Sequence, residues 1–232
     1  MDISSTQFWL ALLEIIWVNI LLSGDNAVVI ALAARSLPVS QQRTAITWGS
    51  AGAIFLRIVL TLVAAKLLLL PWLKIVGAIL LLYIGISLLM PEGDNDGDAK
   101  EYGSLWAAIR TILVADLVMS LDNVVAVAAA AHGDTVLLVV GLAISIPLVI
   151  FGSTLLLKVI ERLPVIVWLG AALLGFIAGE MLVSDPVMTP IVDNFSGTVH
   201  TSAHQLALAA GVVGAVIVLI SGKIFKARAR AD

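Results

Sequence analysis

Two segments of the chain, 97 positions apart, share a serine, an aspartate and an asparagine at the same spacing. They are Ser23, Asp25 and Asn26 in segment 19–34, and Ser120, Asp122 and Asn123 in segment 116–131. Seven of the sixteen aligned positions are identical, and both segments lie in long apolar stretches. An ionisable side chain at the centre of a membrane helix costs about 2.5–3.5 kcal/mol on insertion scales. Because the same three residues occur twice despite this cost, we expect them to have a function. The leading hypothesis is a transport site where two repeats meet.

The polar residues of each segment lie along one face of a helix, because residues three, four or seven positions apart point to the same side. The two faces carry Asn19, Ser23 and Asn26 with Asp25 beside them, and Asp116, Ser120 and Asn123 with Asp122 beside them. Their oxygens are hard donors that suit manganese, magnesium or calcium. Backbone carbonyls would join them if the helix loosens at Gly24. With no Cys, and no His near the middle of a span, copper and zinc are disfavoured. These residues alone favour a divalent cation without selecting one.

Each candidate residue also has a structural interpretation. Serine and asparagine in membrane helices often only hydrogen-bond neighbouring helices. Asp25 and Asp122 could instead be protonated or paired with Arg57, which is itself a candidate counter-ion or could snorkel to the surface. Asp116 lies nearer the cytoplasmic end of its span and could be interfacial. Two glutamates near outer span ends could reach for water, or pass ions and protons to the outside; they are Glu14 and Glu180.

The composition is that of an integral membrane protein, so the lipid bilayer is an expected partner. Of its 232 residues 61% are hydrophobic and 12% are charged, and the mean hydropathy is +1.10. Soluble domains carry roughly 25% charged residues. The sequence therefore predicts an all-α polytopic membrane protein with little mass outside the bilayer and no nucleic-acid partner. The absence of cysteine excludes disulfides and thiolate metal sites.

Seven stretches approach or exceed the roughly 20 apolar residues that span a bilayer. They are residues 8–33, 44–67, 71–90, 105–131, 135–158, 164–184 and 204–224. The third and sixth begin at equivalent Leu-Pro steps, Leu70–Pro71 and Leu163–Pro164. We therefore predict two three-helix repeats, at 1–90 and 104–184, joined by an acidic cytoplasmic linker at 91–103. Residues 185–232 would add an outer loop, a seventh helix and a basic cytoplasmic tail.

Lysine and arginine concentrate on one side of these predicted spans. That side carries Arg35, Arg43, Lys100, Arg110, Lys158, Arg162, Lys223, Lys226, Arg228 and Arg230. The positive side is cytoplasmic, so we predict a multi-pass protein of the cell membrane with its N-terminus outside and its C-terminus inside. An odd number of helices per repeat inverts the second copy. Inverted repeats are a transporter architecture with the site near the midplane, here between spans 1 and 4.

The motif Ser23-Gly-Asp-Asn-Ala-Val-Val-Ile-Ala31, with Asp116-Leu-Val-Met-Ser-Leu-Asp-Asn-Val-Val-Ala-Val-Ala128, resembles the TerC family of membrane proteins, in its short YjbE-type branch. The resemblance implies an exporter of cations, chiefly manganese, related to the LysE-type superfamily. It implies metal binding by Asp25, Asn26, Asp116, Asp122 and Asn123. Many family members have glutamate six residues before the first aspartate, where this chain has Asn19. The site thus has one negative charge fewer, which Glu14 could partly replace.

The function predicted from these features is export of a divalent cation, with Mn²⁺ as the transported substrate and no cofactor. Protons are the expected counter-ion, because clustered carboxylates can exchange protons for metal. An exporter of small organic molecules such as amino acids is the main alternative. An intramembrane aspartyl hydrolase is disfavoured, since its Gly-x-Gly-Asp and Pro-Ala-Leu elements are missing. A purely structural membrane protein is a further alternative, and the oligomeric state stays open.

Overall fold

The computed structural model of the protein describes residues 6–67, 70–90, 104–131, 134–199 and 202–228. Within these ranges the chain is helical and contains no strand, as predicted. The helices are α1 (Thr6–Leu21), α2 (Gly24–Ala34), α3 (Val39–Leu67), α4 (Leu73–Ser87), α5 (Leu105–Ala130), α6 (Thr135–Arg162), α7 (Val165–Val183), α8 (Thr189–Val199) and α9 (Ala203–Arg228). The predicted acidic linker at 91–103 and the last residues of the predicted tail lie outside the described residues.

Four of these helices are long and apolar enough to cross a membrane, and the number rises to six if each of two bent pairs forms one span. The four lie in α3, α6, α7 and α9. The bent pairs are α1 with α2, and the two parts of α5. The structure thus supports a multi-pass membrane protein with four to six candidate spans, while the predicted count of seven includes the shorter helix α4.

Helix α4 is shorter than the predicted third span, because its N-terminus is fixed by a residue with unusual backbone geometry. Trp72 has a φ of 71°, in the left-handed region that side chains rarely adopt, and the helix begins after it. The 15 residues of α4 rise about 22 Å at 1.5 Å per residue. A hydrocarbon core is about 30 Å thick, so α4 alone falls short of a full span.

The N-terminus of α4 is capped by an aspartate from a distant part of the chain. Asp185 is fully buried and accepts hydrogen bonds from the backbone N–H groups of Trp72 (3.1 Å), Lys74 (3.1 Å), Ile75 (3.4 Å) and Val187 (2.9 Å). Burial raises the pKa of the Asp185 carboxyl, but these donors outweigh it and hold that pKa below its ordinary value. The carboxylate also lies where the helix dipole favours negative charge. The α7–α8 connection is therefore tied to the start of α4.

The chain divides into two compact units that each combine segments from both predicted repeats. The first unit comprises residues 1–68 and 102–162, and the second comprises residues 69–101 and 163–232. The division falls at the two Leu-Pro steps, so α4, α7, α8 and α9 belong to the second unit. In the first unit, α1 and α2 pack on α6, while α5 packs on α3. The first helix of each predicted repeat thus packs on the second helix of the other.

Two equivalent isoleucines make these cross-repeat contacts against glycines. A Cβ at Gly141 of α6 would lie within 2.5 Å of Ile15, and a Cβ at Gly49 of α3 would lie within 2.7 Å of Ile112. Ile15 and Ile112 are 97 positions apart, the same offset as the two polar motifs. The same packing contact therefore occurs in both copies.

The second unit is held together by close approach of α7 and α9. A Cβ at Gly179 would collide with the carbonyl oxygen of Ala210, and a Cβ at Gly214 would collide with that of Gly175. Without a hydrophobic driving force in lipid, close backbone contact of this kind is a main source of helix association.

We expect Gly179→Ala to lower the free energy of unfolding by about 1–3 kcal/mol, the usual range for overpacking, because the colliding atoms belong to backbone. Gly152→Ala is the matched control, since nothing lies within 4 Å of a Cβ built there. That control should be neutral or stabilising by about 0.5–1 kcal/mol, the helix preference of alanine over glycine. Thermal unfolding of both purified variants in one detergent makes the comparison. Equal midpoints would contradict the proposed role of the α7–α9 contact.

Helix α8 lies within the predicted outer loop and was not expected from the sequence. Pro190 is its second residue, a position where proline is favoured because its missing N–H has no partner in a helix start. That signal was available in the sequence, but the segment is too short and too polar to stand out as a span.

Candidate functional site

Both copies of the polar motif lie where a helix bends. Helix α1 ends at Leu21, α2 begins at Gly24, and their axes differ by 50°. Helix α5 bends by 69° between its parts Leu105–Leu121 and Asn123–Ala130. The sequence left open whether the helices break here. Since irregular backbone at membrane depth is tolerated only where it is buried in protein or lines a cavity, these bends are the natural places for a site.

The first break exposes a backbone carbonyl, and both motif asparagines bind it. In an unbroken helix the N–H of Asn26 would donate to the carbonyl of Leu22; here it donates to Oδ1 of Asp25 (2.8 Å). The Leu22 carbonyl oxygen instead accepts from Nδ2 of Asn26 (3.1 Å) and Nδ2 of Asn123 (3.4 Å). The loosening near Gly24 that the sequence analysis considered is therefore present. Asp25, Asn26 and Asn123 satisfy the backbone groups that it frees.

A buried arginine lies among the remaining polar residues. The guanidinium of Arg57, on α3, is only 2% exposed. It donates to Oδ1 of Asn19 (2.7 Å), Oγ of Ser23 (3.2 Å), Oδ1 of Asp116 (2.7 Å) and Oγ of Ser120 (3.0 Å). Ser120 also donates to the second oxygen of Asp116, at 3.2 Å. We refer to these four oxygen-bearing residues, Asn19, Ser23, Asp116 and Ser120, as the oxygen cage.

The oxygen cage is built from equivalent positions of the two motif copies. Asn19 and Asp116 are 97 residues apart, and so are Ser23 and Ser120. Arg57 therefore binds one pair of identical residues and one pair that differs only in charge. The guanidinium, a planar fork of N–H donors, binds the first copy through Nη1 and the second copy through Nε and Nη2.

The ion pair bears on three interpretations of the sequence. Asp116 is 5% exposed and forms an ion pair with Arg57 at 2.7 Å, so its side chain is paired inside the protein, and its proposed position near the membrane interface stays a prediction. Arg57 does not snorkel to the surface. Its partner is Asp116 rather than Asp25, while the side chain of Asp122 lies outside the described part of the structure. One carboxylate neutralises one guanidinium, so this pair contributes no net charge to the oxygen cage.

One buried oxygen of the first motif copy has no hydrogen-bond donor among the described residues. Oδ1 of Asn26 is buried and accepts no hydrogen bond from the described residues, although Nδ2 of the same amide is bound to Leu22. That bond fixes the amide orientation, because the flipped amide would set oxygen against oxygen. Asp25, the next residue, is half-buried and within electrostatic reach of Arg57 and Asp116. A buried acceptor without a donor usually marks a bound partner such as water or an ion.

The structure does not bring every candidate into this cluster. Glu14 is exposed, so it does not supply the negative charge that Asn19 lacks. Glu180 is half-buried and belongs to the second compact unit, whereas the oxygen cage lies in the first. Among the described residues no three His, Cys, Asp or Glu side chains are grouped as a metal cluster. Neutral amide and hydroxyl oxygens, as well as carboxylates, therefore make up the polar atoms of the cluster.

Fold and cluster together define a multi-pass helical membrane protein with paired polar helix breaks around a buried ion pair. Residues 4–230 match the family described as "Integral membrane protein TerC family". The chain belongs to this family, which confirms the resemblance seen in the motifs.

Three relatives from Bacillus subtilis (strain 168) are each described only as an uncharacterized membrane protein. YjbE is 43% identical over 210 residues, which is 90% of this chain and 95% of that protein. YceF is 29% identical over 170 residues, covering 69% and 66% of the two chains. YkoY is 24% identical over 196 residues, covering 75% and 60%. No solved structure matches the chain.

Proposed function

We propose that this protein transports divalent metal cations, with Mn²⁺ as the leading substrate, through the cluster where the two motif copies meet. The observation that carries the proposal is the buried Oδ1 of Asn26, which has no donor among the described residues and belongs to the residue that follows Asp25. Hard oxygen atoms of this kind are the ligands that Mn²⁺, Mg²⁺ and Ca²⁺ prefer. Membership of the TerC family agrees with a transport role.

The proposed ligands come from both motif copies. Asp25 and Asn26 lie at the α1–α2 break, and Asp122 and Asn123 lie at the bend of α5. Asp116 adds a carboxylate nearly two turns earlier on α5. Side-chain oxygens from two bent helices can adjust their spacing as the bends change. This freedom suits an ion that must be bound and then released.

An inverted-repeat arrangement explains why the same contacts recur. Ile15 and Ile112 pack against glycines of crossing helices, and equivalent pairs of residues surround Arg57. We propose that the two copies have opposite orientations in the membrane, with the N-terminus outside. Because α1 and α2 pack on α6, and α5 packs on α3, site opening must involve changes within the first unit rather than separation of the repeats.

Export requires an energy source. Moving charge against an inside-negative potential costs roughly 2.3 kcal/mol per charge per 100 mV, or about 4.6 kcal/mol for a divalent ion. We propose proton antiport, with protons entering as the metal leaves. Metal transport by reconstituted protein should then respond to an imposed pH gradient; equal rates with and without the gradient would exclude this coupling.

The decisive experiment measures intracellular manganese under manganese stress, in cells that lack other exporters. One strain expresses this protein and another its Asp25→Asn plus Asp122→Asn variant, with membrane levels matched by blot. We expect the parent to lower cell manganese and the variant not to, because the variant removes two carboxylates. If neither strain changes manganese, the substrate assignment is wrong, and a survey of other exported metals and amino acids should follow.

The structure gives no support to the amino-acid exporter. A carboxylate-bearing substrate needs a cationic partner, and Arg57 already forms a 2.7 Å ion pair with Asp116. Its remaining bonds go to neutral oxygens of the protein. The neutralised guanidinium therefore favours a metal cation over an amino acid as the substrate.

A further inference from the structure

We propose that Arg57 is a built-in competitor of the transported cation: its guanidinium occupies the oxygen cage, and a divalent cation can use the oxygens of that cage only when Arg57 has left it. This inference rests on the proposed function, since it concerns the same site. It adds a specific role for a residue outside both motif copies.

The first argument is the chemistry of the atoms that Arg57 binds. Each of its four acceptors is a carboxylate, amide or hydroxyl oxygen, the donor types that hard divalent cations also take. They come from two helices, α1 and α5, together with the break that follows α1. A cluster of oxygens that surrounds a positive charge is a cation site. In this structure the cation is the guanidinium of Arg57, which is part of the chain itself.

The second argument is charge. The oxygen cage has one charged member, the carboxylate of Asp116. The bound guanidinium of Arg57 neutralises it. A divalent cation entering beside the guanidinium would meet a like charge at close range in a buried setting, where screening is weak. Binding both cations together is therefore strongly opposed, and the two should exclude one another.

The third argument links the cage to the helix break. Arg57 donates to Asn19 near the end of α1 and to Ser23, the residue between α1 and α2. Asp25 lies two residues further along and is followed by Asn26, whose Oδ1 has no donor among the described residues. A cation first held by Asp25 and Asn26 would repel the guanidinium. Release of Arg57 would then free the side chains of Asn19 and Ser23 at the break. The oxygens of the cage would become available to the cation.

A structural role for Arg57 makes a different prediction, which allows a test. If Arg57 only stabilises the fold, its removal lowers stability and lowers or leaves unchanged the affinity for metal. If Arg57 competes with the substrate, its removal raises that affinity. Metal affinity and stability then change in opposite directions.

The experiment measures Mn²⁺ binding to the purified full-length protein in lipid nanodiscs, from the loss of the free-ion electron paramagnetic resonance signal. Arg57→Gln should bind Mn²⁺ at least about tenfold more tightly than the parent, because a neighbouring like charge is gone. Arg57→Lys keeps the charge and should remain close to the parent. Equal or weaker binding by a folded Arg57→Gln variant would overturn the proposal, even if cells expressing the parent export manganese.

A second variant covers the case in which Arg57→Gln does not fold. Arg57→Ala leaves room for free guanidinium, so the variant is purified with millimolar guanidinium chloride and its Mn²⁺ affinity is measured as that salt is exchanged for sodium chloride. We expect guanidinium to weaken Mn²⁺ binding and sodium at equal ionic strength not to. Identical affinities in the two salts would overturn the proposal. A failure of cation transport itself would appear separately, as unchanged manganese in cells expressing the parent.

Discussion

Replacing Asp116 by leucine is expected to lower the free energy of unfolding by about 3–5 kcal/mol, which is the usual cost of breaking a buried ion pair by removing one partner. Both side chains are buried, and Asp116 also accepts a hydrogen bond from Ser120. Without the carboxylate, the Arg57 guanidinium keeps only neutral acceptors. Reversible unfolding of the purified protein in mixed micelles, followed by circular dichroism, measures this change.

The matched control removes both charges. The double variant Arg57→Met plus Asp116→Leu should recover most of the lost stability, because replacing a buried ion pair by apolar side chains of similar volume is often neutral or stabilising. Ser120→Ala removes two hydrogen bonds to charged groups but leaves the ion pair in place, so it should cost less than Asp116→Leu. A cost near zero for Asp116→Leu alone would show that the ion pair does not form as described.

The sequence predicted which residues would gather, but not how they are bonded. The spacing of Asn19, Ser23 and Asn26 placed them on one helix face, and in the structure all three side chains are buried. Periodicity reports direction within one helix and carries no information on which residue of a neighbouring helix lies opposite. The partner of Arg57 therefore could not be found from spacing, and the side chain is long enough to reach several carboxylates.

The helix breaks show the same limit. Gly24 in the first copy gave a signal that α1 could loosen, whereas the second copy has Leu121 at the equivalent position and α5 bends beside it without any glycine. Such a bend depends on which groups replace the lost backbone bonds. In the first copy those groups are Asp25 and the amide of Asn123, the latter from another helix. Contacts of this kind between distant segments are set by tertiary packing.

The length of α4 could not be predicted from the sequence for a related reason. Hydropathy measures how apolar a segment is, and residues 71–90 pass that test. The length of the helix within the segment is set by its ends. There the left-handed Trp72 and the cap from Asp185, 113 residues away, delay the start of α4. The 97-residue offset between the motif copies was a better guide to the structure than hydropathy. Residues related by this offset, such as Ser23 and Ser120, make equivalent contacts in both copies.

Replacing Asn26 by leucine is expected to lower manganese export at least about tenfold, the lower end of the losses seen when a group that supports a metal site is removed. Asn26 has two roles in the structure: its Nδ2 binds the Leu22 carbonyl, and its Oδ1 has no donor among the described residues. Leucine is similar in volume, so the change removes both polar atoms without leaving a large cavity. Initial rates of Mn²⁺ release from cells, at matched membrane levels, measure the effect.

Asn26→Asp is the control that separates the two roles. It keeps an oxygen at the site but loses the Nδ2 donor to the Leu22 carbonyl. Export that is largely kept in Asn26→Asp and lost in Asn26→Leu would assign the effect to the oxygen, and the reverse order would assign it to the helix break.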